Sequence, residues 1–227
     1  LNNKNVYRDF MLAGEKFKNA VFHFFNMCYK QEKMPESFYE TELLKLYKGK
    51  GVRAELKANR FIHLKGWMAK TYEKMLMTKM EAKMFSATPE FQVGGQKMGS
   101  TNEHLLSMII AMRKLEKTQR TGAIIFMDIK ACFDRVRLND ILFETVQAGV
   151  VGRPLKNIAN YTDNLVIKMV GDNDQQRRER INNSTGQGSG FAPVGTSLVM
   201  AKTLEMKIKA RKPEERAVII KSVGGIT

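Results

Sequence analysis

Between Tyr7 and Lys30 the apolar positions recur at three- and four-residue steps. Phe10, Ala13, Phe17, Val21, Phe24 and Cys28 fall on one stripe, and Phe22 and Phe25 widen it. That period belongs to an amphipathic helix with a broad packing face. Pro35 interrupts it. Beyond the proline, "TELLKLYKGKG" alternates as a strand does and runs into a glycine turn at Gly49 to Gly51, and "NRFIHL" reads as a short strand or turn. From Gly66 to Met84 the helical period returns with Met68, Tyr72, Met75, Leu76 and Met80, a methionine-rich stripe whose simplest role is core packing.

In the second half, Ser100-x-x-Glu103 forms a capping box that starts a helix running to about Lys117. A buried strand follows at Ala123 to Met127, then a turn through Asp128 and Asp134, then a helix from Leu138 to about Gln147. Pro154 suits the first turn of another helix, and "NLVIKMV" reads as a strand that turns at "GDND". A polar tract, "QQRRERINNSTGQGSG", leads into a helix from about Pro193. No internal repeat is present, and the linker-like tracts are too short to separate independent domains.

Charge narrows the partners. With 38 lysines and arginines against 23 acidic residues, the chain of 227 carries a formal +15. Such an excess suits a polyanion, nucleic acid or an anionic membrane surface, unless the protein is merely basic. No apolar run approaches the roughly 18 residues that suggest a membrane span, so insertion in a bilayer is not expected. Cys28 and Cys132 have no CxxC spacing. They read as free thiols of a reducing, intracellular compartment, and zinc is not indicated. The chain opens on Leu1 and closes on "IIKSVGGIT", as a piece of a longer protein would.

Chemistry concentrates in "GAIIFMDIKACFDRV". A carboxylate aimed off the end of an apolar strand is a natural ligand for a hard divalent cation that also meets substrate phosphates. Asp128 fits that role, and equally that of a cap on the following turn. Upstream, "QVGGQKMGST" puts glycines and lysine ahead of a helix N-terminus, where phosphate binds well.

In composition, order and spacing, "LYKGKG", "NRFIHL", "FQVGGQKMGSTNEHLL", "FMDIKACFDRV" and "TGQGSGFAP" resemble the fingers and palm of reverse transcriptases, in the manner of non-LTR retrotransposons and group II introns. The resemblance runs from roughly Pro35 to Lys209. It implies an α+β fold, with helices packed on a small, mostly antiparallel sheet. Residues 1–121 would form an N-terminal helix and fingers, and 122–227 a partial palm. It also implies an RNA template, a DNA primer and deoxynucleoside triphosphates as partners, with no membrane.

The same resemblance assigns roles. Asp128 matches the first metal-binding aspartate of a two-metal nucleotidyl transfer using Mg²⁺ or Mn²⁺. Phe133 matches the ring that crowds the 2′ side of the incoming sugar, or else it is a core phenylalanine; Asp134 is mainly structural in the family. Gln187 and Gly188 match the pair beside the nascent base pair, and Pro193 fits the family's proline. Gly190 and Ala192 replace the more usual Pro and Ser, and Gly186 replaces a larger residue, so a looser loop is expected. Arg60 and Lys48 match the residues that meet the triphosphate, with Lys50 competing for the lysine role. Phe61 and His63 stand where the family often has Pro and Ser or Thr. Lys97, Ser100 and Thr101 would contact template phosphates.

The later Tyr/Phe-x-Asp-Asp hairpin of the family does not occur in these residues. The expectation is therefore a polymerase portion that is inactive as it stands. The alternative is a decayed or repurposed relic that binds nucleic acid without catalysis. A metal-dependent phosphotransferase of another fold would need a P-loop or kinase signature, and none occurs.

Overall fold

In a computed structural model of the chain, residues 3–95, 100–124, 126, 128–129, 132–170, 176–181 and 188–209 are described. The single helix expected at the start is two, α1 (Asn3–Leu12) and α2 (Glu15–Gln31). Gly14 divides them in extended backbone, at φ −63° and ψ 157°. Glycine loses the most conformational freedom inside a helix, so it interrupts a stripe whose spacing would otherwise continue. After Pro35 come α3 (Glu36–Tyr39), β1 (Glu40–Tyr47), a 3₁₀ turn at Leu56–Ala58, β2 (Asn59–Leu64) and α4 (Trp67–Ser86). There follow α5 (Thr101–Lys117), α6 (Cys132–Arg135), α7 (Leu138–Gln147), α8 (Arg153–Asp163), β3 (Val166–Val170), β4 (Gln176–Arg180) and α9 (Phe191–Lys209).

The four strands lie in the order β2-β1-β3-β4. Two of the three ladders are antiparallel, and β1 runs parallel to β3 only over Glu40 to Glu42. The rest of β1 pairs with β2 alone and forms a two-stranded hairpin, on which Leu44, Leu46 and Tyr47 are exposed. The strand β4 lies inside the tract that reads as polar linker. It is an edge strand, and Arg178, Glu179 and Arg180 are all exposed. Arg178 forms an ion pair of 3.0 Å with Glu40, and charge along an edge blocks pairing with other chains.

Helix α4 forms the middle of the core. Leu76, Met80 and Met84 are fully buried and Tyr72 is 1% exposed, so the methionine stripe is a packing face. Tyr72 donates from its hydroxyl to Asn157 Oδ1 at 2.8 Å, and the Asn157 amide donates to the carbonyl of Tyr29 at 3.1 Å. These bonds tie α2, α4 and α8 together while satisfying buried polar groups. Gly195 of α9 crosses α7 so closely that a β-carbon there would overlap Ile141.

Helix α5 begins at the expected cap: the Ser100 hydroxyl accepts from the Asn102 backbone N–H at 3.1 Å. Ser107 is the one buried residue of this helix, whereas Leu105, Leu106, Ile109 and Met112 are exposed. The strand expected at Ala123 to Met127 is absent at its described residues, Ala123, Ile124 and Phe126, which belong to no helix or strand. Ile124 is 48% and Phe126 83% exposed. Apolar, strand-favouring residues do not make a strand without a neighbour for their N–H and C=O groups, and no described strand lies beside them. Helix α9 begins at Phe191, two residues before the expected Pro193.

Candidate nucleotide site

Three separate parts of the chain line one open cavity of about 400 Å³: Arg60 from β2, Phe133 from α6, and Gly188, Ala192 and Pro193 from the turn into α9. Arg60 is exposed, and no side-chain partner is found for it among the described residues. Its guanidinium offers the forked donors that suit phosphate oxygens. Phe133 is 36% exposed and forms one wall of the cavity. Gly188 sits at φ +115°, and a β-carbon there would lie 2.8 Å from the His63 carbonyl oxygen of β2. The glycine thus serves a close backbone approach as well as a left-sided φ. His63 itself is buried at 9% exposure, as a packed residue is.

The glycine loop reaches the same wall. Gly95, at φ +78°, would put a β-carbon 3.0 Å from the Pro193 carbonyl oxygen. Lys97 further along this loop lies outside the described residues, as does Gln187. Ser100 and Thr101 stand at the start of α5, where the Ser100 hydroxyl is engaged as a cap. Lys48 does not line the cavity. Its ammonium donates to the Lys57 carbonyl at 2.9 Å, within the hairpin tip. The register still keeps it near, because Arg60 pairs with Leu46, two residues before Lys48. Lys50 is exposed on the same tip.

Asp128 is exposed, outside any helix or strand and outside the cavity lining. Its charge is felt at Cys132: burial pushes that thiol up first, and the Asp128 carboxylate adds to it by disfavouring a second negative charge. Asp128 is a hard oxygen donor suited to Mg²⁺ or Mn²⁺. Among the described residues, however, no three His, Cys, Asp or Glu side chains gather. The described residues therefore do not make up the donor set that a pair of such ions needs.

Behind the cavity wall lies a cluster that the sequence reading did not single out. Lys65 and Glu73 form an ion pair of 2.9 Å with side chains 1% and 2% exposed. Glu73 also accepts from the Ser189 hydroxyl and from the Phe191 backbone N–H. The signal was present: Glu73 falls four residues after Ala69 and three before Leu76, on the apolar face of α4. An acid on such a face demands a buried partner.

The described strands form a small sheet with helices packed on it, and Arg60 and Phe133 line one cavity beside it. Residues 48–219 match the family profile of the reverse transcriptase (RNA-dependent DNA polymerase), and the chain belongs to that family. Comparison with curated proteins finds no match.

Proposed function

We propose that this chain is the fingers and partial palm of an RNA-directed DNA polymerase of a retroelement, of the non-LTR or group II intron type. Its work is template-directed nucleotidyl transfer onto a DNA primer. The observation that carries the reading is the cavity itself: Arg60, Phe133 and Gly188, each brought forward by a different sequence motif, line the same space. In this reading Arg60 holds the triphosphate, with Lys48 or Lys50 reaching it from the hairpin tip. Phe133 crowds the 2′ position of the sugar and so selects deoxynucleotides. Gly188, with Gln187 before it, keeps the turn flat beside the new base pair. Lys97, Ser100 and Thr101 meet template phosphates. Asp128 contributes one carboxylate to a Mg²⁺ or Mn²⁺ site whose other donors are not among the described residues.

A second reading has its own support. Phe61 and His63 depart from the family's usual residues. A repurposed relic would keep the basic surface and bind nucleic acid without copying it. Titration of dTTP, of the matching ribonucleotide and of an RNA–DNA primer-template, each in Mg²⁺ buffer, separates the readings. Binding of both ligands with selectivity for the deoxy sugar supports the polymerase site. Duplex binding with no nucleotide binding favours the relic, and binding of neither removes both.

A further inference from the structure

The Lys65–Glu73 pair poses a question that stability does not answer. Two charges buried to this depth lose their hydration, and an apolar pair of similar volume commonly serves a core as well or better. What an apolar pair cannot supply is direction. The Glu73 carboxylate is bonded on both oxygens: Oε2 receives Lys65 Nζ, and Oε1 receives the Ser189 hydroxyl and, at 3.2 Å, the Phe191 amide. The Ser189 hydroxyl in turn accepts from the Phe191 amide at 3.2 Å. Phe191 opens α9, so an acid from α4 caps the N-terminus of a different helix, where negative charge is favoured. Lys65 follows directly on β2 and stands 4.8 Å from the centre of the Tyr161 ring in α8. One buried cluster therefore ties the exit of β2, α4, α8 and the turn before α9.

Those connections bear on the cavity. Arg60 lines it from β2, and Gly188, Ala192 and Pro193 line it from the turn and the start of α9. Ser189, between the lining residues, is 5% exposed and points back to Glu73. Gly188 meanwhile lies against the His63 carbonyl, two residues before Lys65. The turn is thus held to β2 from one side by backbone contact and from behind by the carboxylate.

We propose that Glu73 is a positioning residue for nucleotide binding. Charged and oriented by Lys65, it fixes Ser189 and the first amide of α9 so that Gly188 lies flat on β2, and it thereby sets the gap between Arg60 and the Gly188–Pro193 wall. This rests on the polymerase reading of the cavity, and its test keeps the two separable. Ser189→Ala removes one bond to Glu73 while leaving the ion pair and the α9 amide contact in place. It is expected to weaken dTTP binding about tenfold, the scale of one hydrogen bond to a charged group, with affinity for an RNA–DNA duplex unchanged within about twofold on the same basis. Ser189→Thr, which keeps the hydroxyl, is expected to restore dTTP binding.

The decisive variant is the double change Lys65→Met with Glu73→Met. Because neither charge is left unpaired, it is expected to stay folded, with a melting temperature lowered by a few degrees for the acceptor that the Ser189 hydroxyl loses, and to lose dTTP affinity while keeping its affinity for the duplex. A role in stability alone would not give that combination. If the unaltered chain binds dTTP and both variants, folded, bind it equally well, the proposal fails while the polymerase reading stands. If the unaltered chain binds neither dTTP nor duplex, the polymerase reading fails and the proposal with it.

Discussion

Arg60 stands exposed on β2 with no partner among the described residues, while most buried polar groups around it are engaged. A guanidinium left in that state is available to an anionic ligand. Arg60→Ala is predicted to weaken dTTP binding about tenfold to a hundredfold, from roughly 1.5 to 3 kcal/mol for a charge-assisted bond. Duplex affinity should fall much less, and an equal loss would place Arg60 in the nucleic-acid groove instead. Phe133→Ala should raise affinity for ATP relative to dATP in a competition titration if, as proposed, the ring excludes the 2′-hydroxyl; an unchanged ratio would leave Phe133 as a wall without selectivity. Asp128 has a readout of its own in Cys132. Burial and the Asp128 charge both raise that thiol, so its reactive thiolate is scarce near pH 8. Removing the charge lowers the thiol's value and shifts the onset of reaction to lower pH. Asp128→Asn is therefore predicted to speed Cys132 alkylation by iodoacetamide at pH 8, measured by mass spectrometry, and an unchanged rate would separate the two residues.

At the scale of elements, α9 is placed by two glycines. Gly195→Ala would gain roughly 1 kcal/mol of helix propensity. Its β-carbon, however, meets the buried Ile141 of α7, and overpacking of this kind costs about 1 to 3 kcal/mol. Overpacking is expected to win, with a melting temperature lowered by a few degrees. Gly188→Ala adds a β-carbon at φ +115° against the His63 carbonyl, so the turn must lift off β2. Thermal melting should fall by about 2 to 12 °C for roughly 1 to 3 kcal/mol of strain, and dTTP binding should fall with it. Retention of both would show that the turn has room the structure does not suggest. The hairpin of β1 and β2 carries Arg60 at the position opposite Leu46, and half of it is a two-stranded ribbon. Such ribbons are marginal alone, which explains why β2 relies on the turn before α9 and on Lys65 for its setting.

For the whole molecule, a formal +15 predicts binding to RNA and RNA–DNA duplexes with little sequence preference. The logarithm of affinity should fall linearly with the logarithm of salt, with a slope of about −0.9 per phosphate neutralised on B-form duplex. An anisotropy titration at several salt concentrations measures it, and a folded sample with flat salt dependence would contradict a phosphate-binding surface. Primer extension by these 227 residues is predicted to be undetectable, since Asp128 is the one carboxylate of the expected set identified among the described residues. Measurable extension would show that another carboxylate completes the site.

The sequence by itself determined the elements whose signals are local. The stripe of α4, the Ser100 cap of α5 and the proline-started α8 each lie within a few residues of chain, where period and capping chemistry suffice. It also put forward Arg60, Phe133 and Gly188 separately. Tertiary structure decided what depends on partners far away in the chain. Strand pairing made β4 out of a charged tract and left Ala123, Ile124 and Phe126 outside the sheet, because a ladder requires a neighbour that propensity cannot provide. Packing brought three motifs to one cavity. It also joined Glu73 to Ser189 across 116 positions, a buried carboxylate whose need for a partner was legible in α4 but whose partner was not, since burial sets the demand locally and the fold alone decides what meets it.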